Sequence, residues 1–496
     1  MHERGKSDNL VVPAKPPNNA GGPAAEVVEG RRLAEGNTGS STRSGRSAGP
    51  SVTSGLDRVR EVARRDKEAR FTALLHHVDL ARLWAAYVAI NPKAAPGVDQ
   101  VTWGAYGQDL RANLEDLLRR VHSGAYRASP SRRVYIPKPD GRQRPLGIAT
   151  LEDKIVQRAV VEVLNAVYEE DFLGFSYGFR PGRGPHDALD ALAVGITERK
   201  VNWILDADVS DFFTKLDQAW LMKFLEHRIA DKRVLRLIRK WLAAGVTEDG
   251  NWSETTEGSP QGASVSPLLA NVYLHYVFDR WARQWRLKHA RGDMIVTRFA
   301  DDFVVGFQYL GDAKRFLNDL RKRFAKFNLE LHPDKTRLIE FGRFAAQNRK
   351  ERGLAKPETF DFLGFTHICG KTKDGRFWLR RVTIKKRMRA KLKQVKAELR
   401  RRRYWSIPEQ GSWLASVVRG HLAYYAVPGN IDSVSAFRDQ VRWIWREALR
   451  RRSQRHRMTW ERYGRIAARW LPPARIVRPY PSVSFAARTQ GKSPVR

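Results

Sequence analysis

Two adjacent acids, Asp301 and Asp302, interrupt an otherwise apolar stretch of the chain. Residues 294–298 before them and 303–307 after them are rich in β-prone apolar side chains, a pattern typical of a β-hairpin with the acids at its turn. Like charges at a hairpin tip repel each other, and a cation between them would remove that cost. The pattern therefore predicts a metal site, although aspartate is also a common residue of ordinary solvated turns.

A second apolar stretch, residues 201–205, also ends in acids, and Asp208 is the predicted partner of the hairpin acids. Mg²⁺ prefers oxygen ligands and is usually held by one or two carboxylates together with waters and substrate phosphates. Two such ions about 3.5 to 4 Å apart can activate an attacking hydroxyl and stabilise a leaving oxygen in phosphoryl transfer. We therefore expect two Mg²⁺ ions as cofactors.

Seven sequence blocks follow one another between residue 91 and the carboxyl end. They are RPLGI at 144–148 with DKIVQ at 153–157, YGFRPGR at 177–183, DAD at 206–208 with FF at 212–213, GSPQG at 258–262, SPLLAN at 266–271, LHPDKT at 331–336 and FLGF at 362–365. In order and content these blocks resemble the reverse transcriptases of bacterial group II introns, which also serve as RNA maturases. The resemblance covers about four-fifths of the chain. It implies an α+β right-hand polymerase, with fingers and palm followed by a helical thumb/maturase domain.

The resemblance also implies roles for the acids. Asp208, Asp301 and Asp302 correspond to the catalytic triad, with Asp208 and Asp301 as direct metal ligands and Asp302 in support. The family usually has tyrosine where this chain has Phe299. The change removes a hydroxyl and keeps the aromatic surface, so we expect fidelity or processivity to be affected more than the chemistry.

Basic residues around residues 139–141 form a predicted hairpin turn that would hold the incoming triphosphate. Arginine can bind phosphate through two parallel hydrogen bonds, and lysine acts as a point charge. On the resemblance, Lys138 and Arg144 are the stronger candidates and Arg142 the weaker. The alternative is a solvated basic loop in a basic protein.

Three further residues correspond to nucleotide-binding positions of the family. Phe213 would pack below the sugar and exclude a 2′-hydroxyl, although phenylalanine in an apolar segment is more often core. Gln261 would contact the nucleotide from a turn whose glycines let the backbone approach closely. Lys335 would protonate the departing pyrophosphate, or it is an ordinary surface lysine.

The charge balance indicates a polyanionic partner. The chain has 90 Lys and Arg against 53 Asp and Glu, a formal net charge of +37, which favours nucleic-acid binding with strong salt dependence. The expected partners are group II intron RNA, a DNA primer or target, and deoxynucleoside triphosphates. No apolar run is long enough to span a bilayer and no signal segment begins the chain, so we expect no membrane partner and a bacterial cytoplasmic, ribonucleoprotein- or nucleoid-associated protein. The oligomeric state stays open, a homodimer included.

Cys369 is the single cysteine of the chain. Internal disulfides and zinc sites built on paired cysteines are thereby excluded. Many group II intron proteins carry a carboxyl-terminal DNA endonuclease domain with paired cysteines, and we expect none in this polypeptide.

Composition and pattern divide the chain into four parts. Residues 1–56 are rich in Gly, Ser, Pro and Arg without aromatics and are predicted to be a disordered basic tail. Residues 57–200 are expected to form the fingers and residues 201–370 the palm with the acids. Residues 371–496 are expected to form the helical thumb/maturase region and a basic carboxyl-terminal tail.

A basic helix is predicted to follow residue 384. Apolar residues at 384, 388, 392, 395 and 399 define one buried stripe, and residues 380–403 hold thirteen Lys or Arg and one acid. This imbalance favours a helix that lies along nucleic acid over a merely solvated face. The predicted RNA-binding residues are Lys385, Lys386, Arg389, Lys393, Arg400 and Arg419. In the aromatic and basic segment that follows, Tyr424 and Tyr425 could stack on RNA or belong to the core.

The sequence thus favours an RNA-directed DNA polymerase that also binds its intron RNA and assists splicing and mobility. One alternative is a protein that acts only in splicing, but the intact acids argue against it. Another is a reverse transcriptase recruited to diversity generation or defence, which the maturase-like region disfavours. A two-metal nuclease would leave the fingers blocks and the turn around Gln261 unexplained.

Overall fold

The computed structural model describes residues 55–137, 143–248, 250–254, 258, 262–452 and 458–489. Within these ranges the chain is a mixed α/β protein with three β-sheets and many helices. The predicted tail, residues 1–56, lies outside the described residues except for Gly55 and Leu56, which begin the first helix. None of the helices within the described ranges combines the length and apolar character needed to cross a bilayer.

The helices surround the sheets and make up most of the carboxyl-terminal region. In chain order they are α1 (Gly55–Arg65), α2 (Leu80–Val88), α3 (Trp103–Tyr106), α4 (Leu110–Ser123), α5 (Leu151–Asp171), α6 (Pro185–Glu198), α7 (Phe212–Lys215), α8 (Gln218–Glu226), α9 (Lys232–Ala243), α10 (Ser266–Leu274), α11 (Arg280–His289), α12 (Leu310–Ala325), α13 (Ala345–Glu351), α14 (Lys385–Arg401), α15 (Ile407–Tyr425), α16 (Ile431–Arg450), α17 (Trp460–Trp470) and α18 (Pro481–Thr489). A π-helical segment, His275–Asp279, joins α10 to α11, so the three form one continuous helical run with a local widening.

The strands are short, and consecutive strands often form hairpins. In chain order they are β1 (Ser131–Pro137), β2 (Gln143–Ile148), β3 (Trp203–Asp208), β4 (Val246–Glu248), β5 (Asn251–Ser253), β6 (Met294–Phe299), β7 (Asp302–Phe307), β8 (Arg337–Glu340), β9 (Phe360–Phe362), β10 (Phe365–Lys371) and β11 (Phe377–Thr383). The sheet orders are β2-β1-β4-β5, β6-β7-β3-β8 and β11-β10-β9.

The sheet β6-β7-β3-β8, called here the central sheet, is antiparallel throughout and is covered on both faces. Phe303 and Val305 enter the largest apolar core, whereas Val304 between them enters a second core on the opposite face. Side chains of a strand alternate between the two faces, so this partition follows directly from the apolar run. Because apolar cores cover both faces of the central sheet, its strand ends are the part where side chains remain accessible to a ligand.

A third apolar core lies among α14, α15, α16 and α17. The predicted stripe of α14 faces it: Val395 and Leu399 are buried, and Met388 and Leu392 pack against the same cluster. The stripe prediction is therefore confirmed from Met388 to Leu399, whereas Ile384 lies before the helix as its N-cap and is not part of this core. The remaining α14 positions are mostly exposed and mostly basic.

Candidate active site

Strand pairing brings the three predicted acids to one end of the central sheet. The β6–β7 hairpin turns at Ala300 and Asp301, with Ala300 in the left-handed region at φ 57°, and its register pairs Phe299 with Asp302. In the neighbouring pair, Asp208 at the end of β3 lies opposite Asp302. The predicted hairpin with acids at its tip is confirmed, and Asp208 lies beside it.

The electrostatics of this acid cluster are unfavourable for ionised carboxylates. Burial raises the pKa of the Asp301 carboxyl, and the negative charge of Asp208 raises it further. Burial also raises the pKa of Asp302 well above its usual value, with added repulsion from Asp206, Asp301 and Asp208. The pKa of Asp206 is raised to about 6, mainly by burial. Bound cations would relieve this repulsion.

Two basic side chains lie close to the acids. Lys335 forms an ion pair with the carboxylate of Asp208, and its chain segment is held there because the His332 amide donates to the Asp208 carbonyl at 2.8 Å. The positive charges of Lys335 and Arg144 lower the pKa of the Asp301 carboxyl and so partly offset the effects of burial and of Asp208. Lys335 from the segment after α12 therefore lies at the same strand ends as Asp208, and Arg144 of β2 is near enough for its charge to act on Asp301.

The predicted triphosphate hairpin is confirmed as a hairpin. Strands β1 and β2 pair antiparallel, with Ile136 opposite Arg144, and the Arg144 side chain is exposed. Lys138 and Arg142 lie outside the described residues, as does Gln261. Gly262, directly after Gln261, is among the described residues. A Cβ on Gly262 would lie 2.6 Å from the carbonyl oxygen of Gly147 in β2. Gly262 therefore packs against the β1–β2 hairpin.

Phe213 follows the acid-bearing strand, in α7. Its ring is partly exposed and lies edge-on to buried Phe212, with ring centroids 5.3 Å apart. Gly258 adopts φ 81°, and a Cβ there would lie 2.5 Å from the Phe213 carbonyl oxygen. Phe213 thus packs against the largest apolar core and stays partly exposed.

A buried polar network behind the hairpin fixes its turn. Arg298 and Asp279 are both 0% exposed and form a two-point ion pair, with contacts of 2.7 Å and 2.6 Å. The same guanidinium donates to the Ala300 carbonyl at 2.9 Å, to the Asn271 side chain at 3.1 Å and to the Ser176 hydroxyl at 2.7 Å. Each polar group thereby has a partner, which buried charges require. The left-handed residue before the acids is held by this network.

Sequence reasoning gave Arg298 no role. The available signal was one basic residue inside an apolar strand, three residues before Asp301. Gly178 belongs to the same support: it accepts a hydrogen bond from Asn271 at 2.7 Å, and a Cβ on it would lie 2.3 Å from the Ala300 nitrogen. A side chain at residue 178 would therefore displace the turn.

The carboxylates fit Mg²⁺ in donor type and charge. Within the described ranges no three His, Cys, Asp or Glu side chains form a preassembled cage for a metal ion. Mg²⁺ does not require one, because waters and substrate phosphates complete its coordination. Asp208 and Asp301 are the residues that could hold the ions, and Asp302 adds negative charge beside them.

The predicted RNA-binding side chains are all exposed. Five of them lie on α14 and one lies on α15: Lys385, Lys386, Arg389, Lys393, Arg400 and Arg419. Tyr424 and Tyr425 instead pack against the second core, and the Tyr424 hydroxyl donates to the Leu363 carbonyl at 2.8 Å. These contacts favour a core role for Tyr424 and Tyr425 over stacking on RNA.

Comparison with known proteins identifies the region that contains this site. Residues 136–367 match the family model described as reverse transcriptase (RNA-dependent DNA polymerase). The chain contains a reverse transcriptase domain. All three acids, Lys335 and Arg144 lie within it.

The chain is homologous to group II intron-encoded proteins and intron maturases. It is 36% identical over 251 residues to "Protein YkfC" of Escherichia coli (strain K12), covering 45% of this chain and 66% of that protein. It is 36% identical over 179 residues to "Group II intron-encoded protein LtrA" of Lactococcus lactis subsp. cremoris, covering 36% and 29%. It is 25% identical over 179 residues to "Nuclear intron maturase 3, mitochondrial" of Arabidopsis thaliana, covering 36% and 24%. In each case the alignment spans less than two thirds of the relative's length.

Proposed function

We propose that this chain is the RNA-directed DNA polymerase of a group II intron, and that it also binds the intron RNA and assists splicing and mobility. The observation that carries the proposal is the meeting of Asp208, Asp301 and Asp302 at one end of the central sheet, inside a reverse transcriptase domain. The homology to LtrA and to intron maturases supports the RNA-related roles.

In this proposal the molecule is a right hand. Residues 57–200 act as fingers, residues 201–370 as palm and residues 371–496 as thumb and maturase region. The partners are intron RNA, a DNA primer or target, and deoxynucleoside triphosphates. The exposed basic face of α14 and the excess of positive charge support a nucleic-acid partner.

Asp208 and Asp301 would hold two Mg²⁺ ions, which when bound supply Lewis-acid stabilisation of the attacking and leaving oxygens. Arg144, exposed on β2, binds triphosphate oxygens, since a guanidinium matches their geometry. Lys335 holds a proton on Nζ beside Asp208, at the position from which it can pass to departing pyrophosphate. Phe213, which is partly exposed, excludes a 2′-hydroxyl from the sugar site.

Primer extension on an RNA template with Mg²⁺ tests the proposal. Asp301→Ala is expected to lower cDNA synthesis by more than about 100-fold, as expected for loss of electrostatic stabilisation at the reacting phosphate. Asp293→Ala is the matched control, because Asp293 precedes β6 at the opposite end of the same hairpin. Wild-type synthesis by Asp301→Ala would overturn the proposal.

A splicing assay with the same variant separates the two proposed roles. RNA maturation is expected to survive Asp301→Ala, because the basic helical region is unchanged. A protein that acts only in splicing would show no cDNA synthesis even as wild type.

A further inference from the structure

A cleft of about 480 Å³ lies between α14 and the carboxyl-terminal half of α16. This volume falls within the range of about 300–1,000 Å³ that is typical of ligand pockets. Residues 396, 399, 400 and 403 supply one wall at helical spacing, and residues 443, 444, 447, 448 and 451 supply the other. The carboxyl-terminal parts of α14 and α16, with the residues just after them, therefore build the cleft, and Tyr404 also lines it.

The cleft combines an apolar floor with exposed aromatic rings. Leu399 and Ile444 form part of the floor and belong to the third apolar core. Tyr404 is 93% exposed and Trp443 is 49% exposed. Packing within the fold does not account for the exposed area of these two rings, and stacking against a flat ligand would cover it.

The cleft is also strongly basic. Lys396, Arg400, Arg403 and Arg451 line it, and within the described ranges none of their side chains is paired with an acid. The one acid in the lining, Glu447, is already engaged by Arg450 at 3.0 Å and by a second arginine at 3.6 Å. The charge that remains available to a ligand is therefore positive.

Helix-end electrostatics explain only part of this arrangement. Both α14 and α16 end at the cleft, and basic residues near helix carboxyl ends offset the helix dipole. That effect accounts for a cation such as Arg400 or Arg451. It does not account for an almost fully exposed tyrosine and a half-exposed tryptophan in the lining of one cleft.

We propose that this cleft binds an unstacked base of single-stranded RNA. Tyr404 and Trp443 stack on the base, and Arg400, Arg403 and Arg451 contact the phosphates on either side. The inference rests on the proposed function, in which RNA is a partner of this region. It adds a defined binding site to a general basic surface.

Affinity for two charge-matched oligomers tests the inference. The probes are a fluorescently labelled RNA oligoadenylate and an abasic sugar-phosphate oligomer of the same length. Tyr404→Ala in the full chain is expected to weaken oligoadenylate binding by roughly 5- to 100-fold, the range for loss of one base–aromatic stack. The abasic oligomer should bind wild type and Tyr404→Ala equally.

Three variants complete the design. Tyr404→Phe keeps the ring and should bind as wild type does, and Trp443→Ala should reproduce the Tyr404→Ala loss. Tyr480→Ala, which removes another exposed tyrosine outside the cleft, should bind normally. Because Tyr404 is almost fully exposed, its replacement should leave folding unchanged, which a thermal melt will verify.

The inference is overturned if Tyr404→Ala binds oligoadenylate normally, or if it weakens both oligomers equally. A loss seen only with a deoxyadenylate oligomer of equal length would assign the cleft to DNA and would also overturn it. These binding results are independent of the primer-extension result for Asp301→Ala, so failure of this inference is distinguishable from failure of the proposed polymerase.

Discussion

The acid end of the central sheet and the basic face of α14 use charge in opposite ways. At the sheet end, Asp301 and Asp302 are held where burial and mutual repulsion oppose ionisation. On α14 the apolar stripe is buried and the cations lie in solvent, where repulsion among them is screened. The first arrangement favours binding of small hard cations, and the second favours a polyanion. A polymerase that grips nucleic acid requires both.

The comparison predicts that buried charges behind the acids matter far more to stability than exposed charges on the helices. Arg298→Met should lower the free energy of unfolding by about 3–5 kcal/mol, because Asp279 is left as an uncompensated buried charge. Urea denaturation measures the change. Arg465→Met, which breaks an exposed pair with Glu461, should stay within about 0.5 kcal/mol.

A second substitution sharpens that result. Arg298→Met combined with Asp279→Leu should recover much of the lost stability, since the unpaired charge is then removed. Recovery of stability without recovery of cDNA synthesis would mean that the network positions the hairpin turn. Equal effects of Arg298→Met and Arg465→Met would contradict the contrast between the two regions.

The pH dependence of the free energy of unfolding compares a buried histidine near the central sheet with one in the helical region. Burial lowers the pKa of His275, near the sheet, and of His421, in the helical region, to about 3. Each histidine is neutral when folded and charges more readily when unfolded, so stability is full above pH 6.5 and falls as the pH decreases. Between pH 7 and pH 5 the expected loss is about 2 kcal/mol per histidine.

Substitution of His421 separates its share of this loss of stability from that of His275. His421→Gln cannot be protonated, so its unfolding free energy should fall less steeply with decreasing pH than that of wild type. Chemical denaturation at several pH values gives the slope. A slope identical to that of wild type would show that the pKa of His421 is the same in the folded and the unfolded protein.

The smallest predicted effect concerns single cations on α14. Lys393→Gln should reduce the slope of log K against log salt for single-stranded RNA by about 0.7, the value for loss of one phosphate contact. Lys314→Gln, which removes an exposed lysine from α12 beside the central sheet, should leave the slope unchanged. Fluorescence anisotropy across a salt series measures both. Equal changes of slope in Lys393→Gln and Lys314→Gln would contradict the expected difference between α14 and α12 in RNA binding.

Local pattern was sufficient for the features that depend on periodicity. The alternation around Asp301 and Asp302 predicted the hairpin, and the spacing from residue 384 predicted the buried stripe of α14. The pairing of β3 with β7 is a long-range contact that spacing cannot specify. In this case a second apolar stretch that ends in acids suggested the link between Asp208 and the hairpin, and the resemblance to a known family supported it.

The network around Arg298 could not be predicted in this way. Its partners Ser176 and Asp279 come from a loop and from a π-helical segment, and no periodicity relates them to β6. A lone arginine in an apolar strand signals that a buried partner exists without saying which residue it is. The hydrogen bond from the Tyr424 hydroxyl to the Leu363 carbonyl could not be predicted either, because interleaved aromatic and basic residues suit either RNA stacking or a core.

The most direct test of the central claim is a change of metal preference. Asp301→Cys replaces a hard oxygen ligand with a softer sulfur, so primer extension should be lost with Mg²⁺ and partly restored with Mn²⁺. Cys369 is the native cysteine, and burial raises the pKa of its thiol to about 11, so it should not interfere. Full activity of Asp301→Cys with Mg²⁺ would contradict the assignment of this acid as a metal ligand.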